Sequence, residues 1–404
     1  MINFHLYDPN LFEKIREGKR LYSDLISRHS EHECMLDGCK ENAILSHTIS
    51  KNFLSLIAEN NHVICPELDI NDIGNSEEDN AKSTAHNLQF KKTGINIAGT
   101  FKGFCSKHDN NLFESLDNNG IMTEMDIFLQ VFRSLCFSYF KTYYVSISEE
   151  KTFGYQYHAN TDFENMQCLS QKDLLEILFD YIQSCLNLSL KILPEERNNP
   201  LVIQPYEDGR FHDFVFLYRR LPTYFDFALE NDITFKMNEK FHHCIVTLFP
   251  QKEYTNLIIL CHSEINDFIR HFLYDEIDTL NFLESVLMLD SMFFIKPSEY
   301  ESWSEIKKKI ILDDYYFCNE RTKFYESYDI SIFDNIPKII CFNNNDEKHQ
   351  KELNKVGYIP ERPSFNERNL KQAWDFIKTR NKKLEALGNK SGRNYPHGPF
   401  IFDD

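Results

Sequence analysis

Three cysteines and a histidine fall into two short pairs, Cys34 and Cys39 around Met-Leu-Asp-Gly, and Cys105 and His108 around Ser-Lys. Three thiolates and one imidazole form a soft, four-cornered donor set that suits tetrahedral zinc, an ion with no geometric preference of its own. Gly38 lets the first pair turn sharply. The second pair opens a helix-periodic run, Leu112, Phe113 and Leu116. A loop pair followed by a helix-start pair is the treble-clef layout, and it predicts structural Zn2+ on Cys34, Cys39, Cys105 and His108.

Between the pairs, Ala43 to Ile49 reads as a short strand carrying His47, with Ser50 as the N-cap of a helix that turns Phe53, Leu54 and Ile57 inward. His47 therefore belongs near the metal platform. Two ordinary roles compete for it: a core histidine fixed by one backbone bond, or a zinc ligand that displaces one of the four. Asp109, directly after a ligand histidine, serves as an outer hydrogen-bond acceptor or a first-turn helix charge as readily as a metal ligand.

This order, knuckle, strand with histidine, insertion, then Gly-Phe-Cys-Ser-Lys-His-Asp at a helix start, resembles the HNH or ββα-metal nucleases over about residues 30–117. In that family a zinc-stapled treble clef holds a strand histidine and a helix residue around a catalytic divalent ion. The resemblance implies that Cys34, Cys39, Cys105 and His108 hold the structural zinc and that His47 is the strand histidine. It further implies that Asp109 or Asn111 faces a second divalent ion such as Mg2+. The middle asparagine has two candidates, Asn87 and Asn96. The first knuckle spans four residues where two are usual, and Ser46 stands where an acidic residue or a second histidine is usual. The same two runs are similar to a widespread group of bacterial proteins, a likeness that supplies no function.

With 404 residues, the chain exceeds one ordinary hydrophobic core. Apolar residues make up 42% and aromatic residues 14%, with 35 Phe and 20 Tyr, which excludes global disorder. A net charge of −18 repels phosphate backbones on average, so a nucleic-acid partner needs a local cationic site. Eleven cysteines, with no positively charged, apolar leader at the N-terminus, point to a reducing cytoplasm rather than a disulfide framework. No run approaches eighteen apolar residues, so no membrane span is expected. Neither Gly-x-Gly-x-x-Gly nor Gly-x4-Gly-Lys-Ser/Thr occurs, which excludes the usual nucleotide-cofactor cradles.

Four segments are expected: a zinc module over 1–120, a helical bridge over 121–195, a mixed domain over 196–341, and a linker with a last helix over 342–404. Residues 1–30 form an amphipathic lead-in, and 68–85 read as a surface insertion. Helices are expected over 121–144, capped by Thr123 with Asp126, and over 171–190, capped by Ser170. Strands are expected over 201–204, 211–218, 233–235, 241–249 and 256–262, the last two forming a hairpin that sets Cys244 opposite Cys261 and His243 opposite His262. Adjacent strand residues face opposite ways, so no face collects all four and a second metal site is not expected there. Further helices are expected over 264–273 and 279–289, and after the capping box Ser302-Trp-Ser-Glu305 with Ile306, Ile310 and Ile311 inward. The basic tract from Lys378 to Arg393 reads as a solvated helix end, and Arg219-Arg220 as a weak phosphate-contact candidate.

The expected fold class is α+β: an N-terminal zinc-bound treble-clef module, a helical bridge and a C-terminal mixed domain with a small antiparallel sheet. The expected function is a metal-dependent, HNH-like endonuclease acting on nucleic acid. The alternative is a non-catalytic, zinc-stabilised interaction protein.

Overall fold

In the computed structural model, the residues described are 11–27, 29–68, 88–153, 161–185, 200–203, 213–237, 240–320, 327–342, 346–368 and 371. Asn87, most of the expected insertion and the basic tract from Lys378 to Arg393 lie outside them. In chain order come α1 (Leu11–Ile26), β1 (Leu45–His47), α2 (Lys51–Ile57), β2 (His62–Leu68), β3 (Leu88–Gly94), β4 (Thr100–Lys102) and α3 (Ser106–Asn119). Two long helices follow, α4 (Glu124–Phe153) and α5 (Thr161–Cys185). Then come β5 (Leu201–Ile203), β6 (Phe214–Leu221), β7 (Phe227–Met237), β8 (Lys240–Gln251) and β9 (Tyr254–His262). The remainder alternates short elements: α6 (Asn266–His271), α7 (Glu276–Leu287), β10 (Met292–Ile295), α8 (Pro297–Ser302), α9 (Glu305–Tyr316), α10 (Asn335–Ile340) and α11 (Glu347–Lys355).

The chain mixes helix with an antiparallel sheet, and that sheet is not small. Eight strands run in the order β3-β2-β10-β7-β8-β9-β6-β5, every neighbouring pair antiparallel. The expected division at residue 120 is crossed by this sheet, because β2 and β3 come from the stretch between the two knuckles and pair onward through β10 to β7.

Both faces are covered, which is why the central strands read as nearly continuous apolar runs. Phe216, Tyr218, Ile245, Ile258, Leu260 and Phe294 face one core, shared with α4, α5 and the region around Cys34 and Cys105. The alternate residues Leu217, Phe227, Val246, Leu257, Ile259 and Phe293 face a second core, shared with α7, α9 and Phe333. The hairpin loop between β8 and β9 is only Lys252 and Glu253, so Pro250 and Gln251 stay in the ladder.

Several local expectations are met and several are corrected. Asp126 accepts from the N–H and hydroxyl of Thr123 at 2.7 and 2.8 Å, capping α4 as expected. Helix α5 begins at Thr161, so position 170 lies inside it and not at its N-terminus. The N-cap of α9 is Ser304, whose hydroxyl accepts from the Lys307 N–H, and Ile306 is 63% exposed rather than inward. Five residues of helix amount to about 140° of rotation, which sets Ile306 well away from the buried Ile311. The stretch taken for a linker contains α11, capped by Asp346. Arg219 is buried and donates to Thr279 Oγ1 and the Leu273 carbonyl, so it contacts no phosphate.

Candidate metal centre and adjoining cavity

The two knuckles meet. The Cys34 Sγ, Cys39 Sγ, Cys105 Sγ and His108 ligand atoms all lie within 4.8 Å of one another. His108 Nδ1 is 3.4 Å from both the Cys34 and Cys105 sulfurs, and Cys39 Sγ is 3.9 Å from Cys105 Sγ. Ligands at about 2.3 Å (sulfur) and 2.0–2.1 Å (nitrogen) from one tetrahedral ion stand about 3.6–3.8 Å apart. The set therefore fits a metal ion in both donor chemistry and spacing.

Local backbone explains the arrangement. Gly38 takes φ +73°, the left-handed turn that brings Cys39 back toward Cys34. The N–H of Met35 donates to the Gly103 carbonyl at 2.8 Å and that of Ile44 to the Phe104 carbonyl at 2.7 Å, lacing the first knuckle to the segment that ends at Cys105. Cys105 is the N-cap of α3, and His108 and Asp109 sit in its first turn. Burial pushes the Cys34 thiol up to about 11, partly countered by the N–H groups of Leu36 and Cys105. Cys105 feels burial too, but the N–H groups of His108 and Lys107 and the neighbouring thiols outweigh it and hold the thiol below its usual value.

Beside this cluster lies an open cavity of about 360 Å³ lined by His47, Ser50, Lys51, Asn52, Asp109, Asn110, Glu114, Asp117 and Asn118. His47 ends β1, which pairs antiparallel with β4 so that His47 faces Thr100 across the ladder. Its Nε2 donates to the Ile95 carbonyl at 2.8 Å, which leaves the lone pair of Nδ1 unused. Burial lowers the His47 pKa, and the Arg133 charge lowers it further, against a raising by the Ile95 carbonyl, Asp117 and Asp109. A neutral imidazole with one fixed tautomer can accept a proton or bind a cation.

Asp109 has a buried Oδ1 with no hydrogen-bond partner. Burial raises its pKa, while the Ser46 hydroxyl and Arg133 lower it. Ser46 Oγ is itself buried and unpartnered, so the two groups face each other without a well-formed bond. An acceptor stranded in this way favours a cation in reach. Arg133 does not fill that role, since both its terminal nitrogens are committed to Asp117.

The structure therefore brings together Cys34, Cys39, Cys105 and His108 in one cluster, and His47 and Asp109 on one cavity. Asn111 is exposed and lines no part of it; Asn110 does. Asn96 lies in the turn between β3 and β4, outside the lining residues. Asn52, Asn110, Glu114, Asp117, Asn118 and Arg133 went unnoticed in the sequence. Positions 110, 114 and 117 recur at helical spacing and form one polar stripe, a legible signal; nothing local marked Arg133. On β8 and β9 Cys244 does face Cys261, but His243 lies 3.4 Å from Asp232, and it is the His242 ring that meets His262.

No family model, curated protein or solved structure matches this chain significantly. Among the described residues, no helix is long and apolar enough to cross a membrane.

Proposed function

We propose that residues 30–119 form an HNH-like, treble-clef nuclease module and that the chain is a metal-dependent endonuclease acting on nucleic acid. The observation that carries this reading is the division of labour in one small region. A soft Cys3His set lies beside a separate cavity to which a strand contributes His47 and a helix contributes Asp109. Strand β1 pairs with β4, and β4 leads into α3, with α2, β2 and β3 lying between β1 and β4 in the chain.

In this reading zinc is the ion of the Cys3His set and staples the two knuckles together. A hard divalent ion such as Mg2+ would be held by Asp109 and His47 and would supply charge to polarise a scissile phosphodiester. His47, neutral and fixed through Nε2, presents Nδ1 either as that ligand or as the base for an attacking water. Lys51 is the one cationic residue among those lining the cavity, against Asp109, Glu114 and Asp117. An unscreened acidic wall repels phosphate, so activity is expected only with a divalent ion present.

That same acidity, together with the net charge of −18, favours a second reading in which the zinc-stapled module holds a protein-binding surface and does no chemistry. Purified protein assayed on single- and double-stranded DNA and RNA with Mg2+, Mn2+, Ca2+ and Zn2+ separates the two. Cleavage that chelators abolish and His47→Ala removes supports the nuclease. Wild-type protein that cuts none of these substrates overturns it in favour of the binding module.

A further inference from the structure

The carbonyl that fixes His47 belongs to Ile95, the first residue of the turn 95–99 between β3 and β4. That turn is held from the large sheet. The Ile95 N–H donates to the Asn61 carbonyl at 3.0 Å, where the chain enters β2, and the N–H groups of Ile97 and Ala98 both donate to the Gly94 carbonyl at the end of β3. At its far end, the Gly99 carbonyl accepts from the Thr48 N–H at 2.8 Å, one residue past His47. Gly99 has φ +60°, and a Cβ placed there would stand 2.5 Å from Phe294 Cζ and 3.1 Å from Thr48 Oγ1. Phe294 is fully buried on β10, opposite Ala228 of β7 near the middle of the sheet.

We infer that the turn 95–99, seated through Gly99 on Phe294, is the positioning element for His47, so that the eight-stranded sheet sets the tautomer and aim of the cavity's histidine. The reasoning is geometric. A side chain half in a cavity and half against a carbonyl keeps one tautomer only while that carbonyl stays within hydrogen-bond distance. Here the carbonyl's position is fixed by a ladder and by a glycine in contact with an aromatic ring, not by the zinc cluster. The zinc module supplies Asp109 and the sheet supplies the orientation of His47. This extends the nuclease reading and rests on it for its catalytic consequence, but the orientation itself is measurable without any activity.

The test uses full-length zinc-loaded protein with 15N-labelled histidine. The two ring-nitrogen shifts and couplings of His47, assigned by comparison with His47→Ala, report which nitrogen carries the proton. The wild type is expected to show Nε2–H. Gly99→Ala should keep its zinc and lose that single tautomer, with cleavage falling on the order of a hundredfold, the scale of an ångström-level misplacement. Phe294→Leu keeps the glycine, shortens its neighbour, and should move the tautomer ratio in the same direction by less. It also serves if Gly99→Ala does not fold. A fully Nε2–H His47 in whichever of these variants fold overturns the inference, as does loss of zinc in step with loss of the tautomer. If wild-type protein shows the tautomer and both variants shift it while no substrate is cut, the positioning stands and the nuclease reading alone falls.

Discussion

Arg133 and Asp117 meet in a two-point ion pair, Nη1 to Oδ1 at 2.8 Å and Nη2 to Oδ2 at 3.1 Å, with the guanidinium 2% exposed and the carboxylate at the cavity edge. The guanidinium carbon also stands 4.0 Å from the centre of the Phe113 ring. The pair ties α4 to α3 beneath the cavity. Replacing the carboxylate by an amide leaves a buried cation with one neutral acceptor and the ring face as partners, so Asp117→Asn should cost about 2–3 kcal/mol in urea unfolding. A loss under about 1 kcal/mol would mean that water reaches Arg133 and that the pair does not organise the floor.

Metal content provides the most direct check on the cluster. One equivalent of zinc is expected per chain, and Cys39→Ser should lose it and several kcal/mol of stability, because metal binding in a closed thiolate site is folding free energy. Cys341→Ser, at a cysteine buried elsewhere, is the control. Equal melting temperatures for the two variants, or metal-free wild-type protein after mild purification, would remove the zinc assignment.

His47→Ala separates the two sites. It should retain zinc and the wild-type melting temperature while divalent-dependent cleavage falls by about 10²–10⁴-fold, the usual worth of a positioned acid or base. Loss of zinc in this variant would instead make His47 a structural ligand.

Two fully buried carboxylates are expected to contribute to the pH dependence of stability. Burial raises Glu230 to about 7, Lys141 lowering it and Asp232 raising it. Burial raises Glu284 to about 8, with the Ile332 N–H donating to one of its oxygens at 2.7 Å. Both folded values lie above the unfolded value near 4.3. Their contribution is therefore complete below that value and is lost as pH rises through about 7 and about 8. Wild-type protein should unfold at lower urea at pH 9 than at pH 6, and the paired change Glu230→Gln and Glu284→Gln should flatten that difference. An unchanged slope in the double variant would place the titration elsewhere.

What the sequence determined by itself is short-range. Knuckle spacing identified four donors that the structure gathers within 4.8 Å, because a sharp turn at Gly38 and a helix start at Cys105 are local features. The Ser50 cap of α2, the Thr123–Asp126 cap of α4 and the pairing of Cys244 with Cys261 were legible for the same reason. Asn110 lines the cavity and Asn111 does not, because one residue on a helix is a rotation of about 100°, finer than a motif can fix without a partner to face. Strands β2 and β10 were missed because residues buried on both faces carry no alternation to read, and β3 because it is a largely unburied edge strand. Those pairings were decided only in three dimensions, and with them the size of the sheet, the turn that aims His47 and the Arg133–Asp117 floor. Each depends on contacts across large sequence separations, where the free energy comes from burial shared with a partner and not from any propensity of the residues themselves.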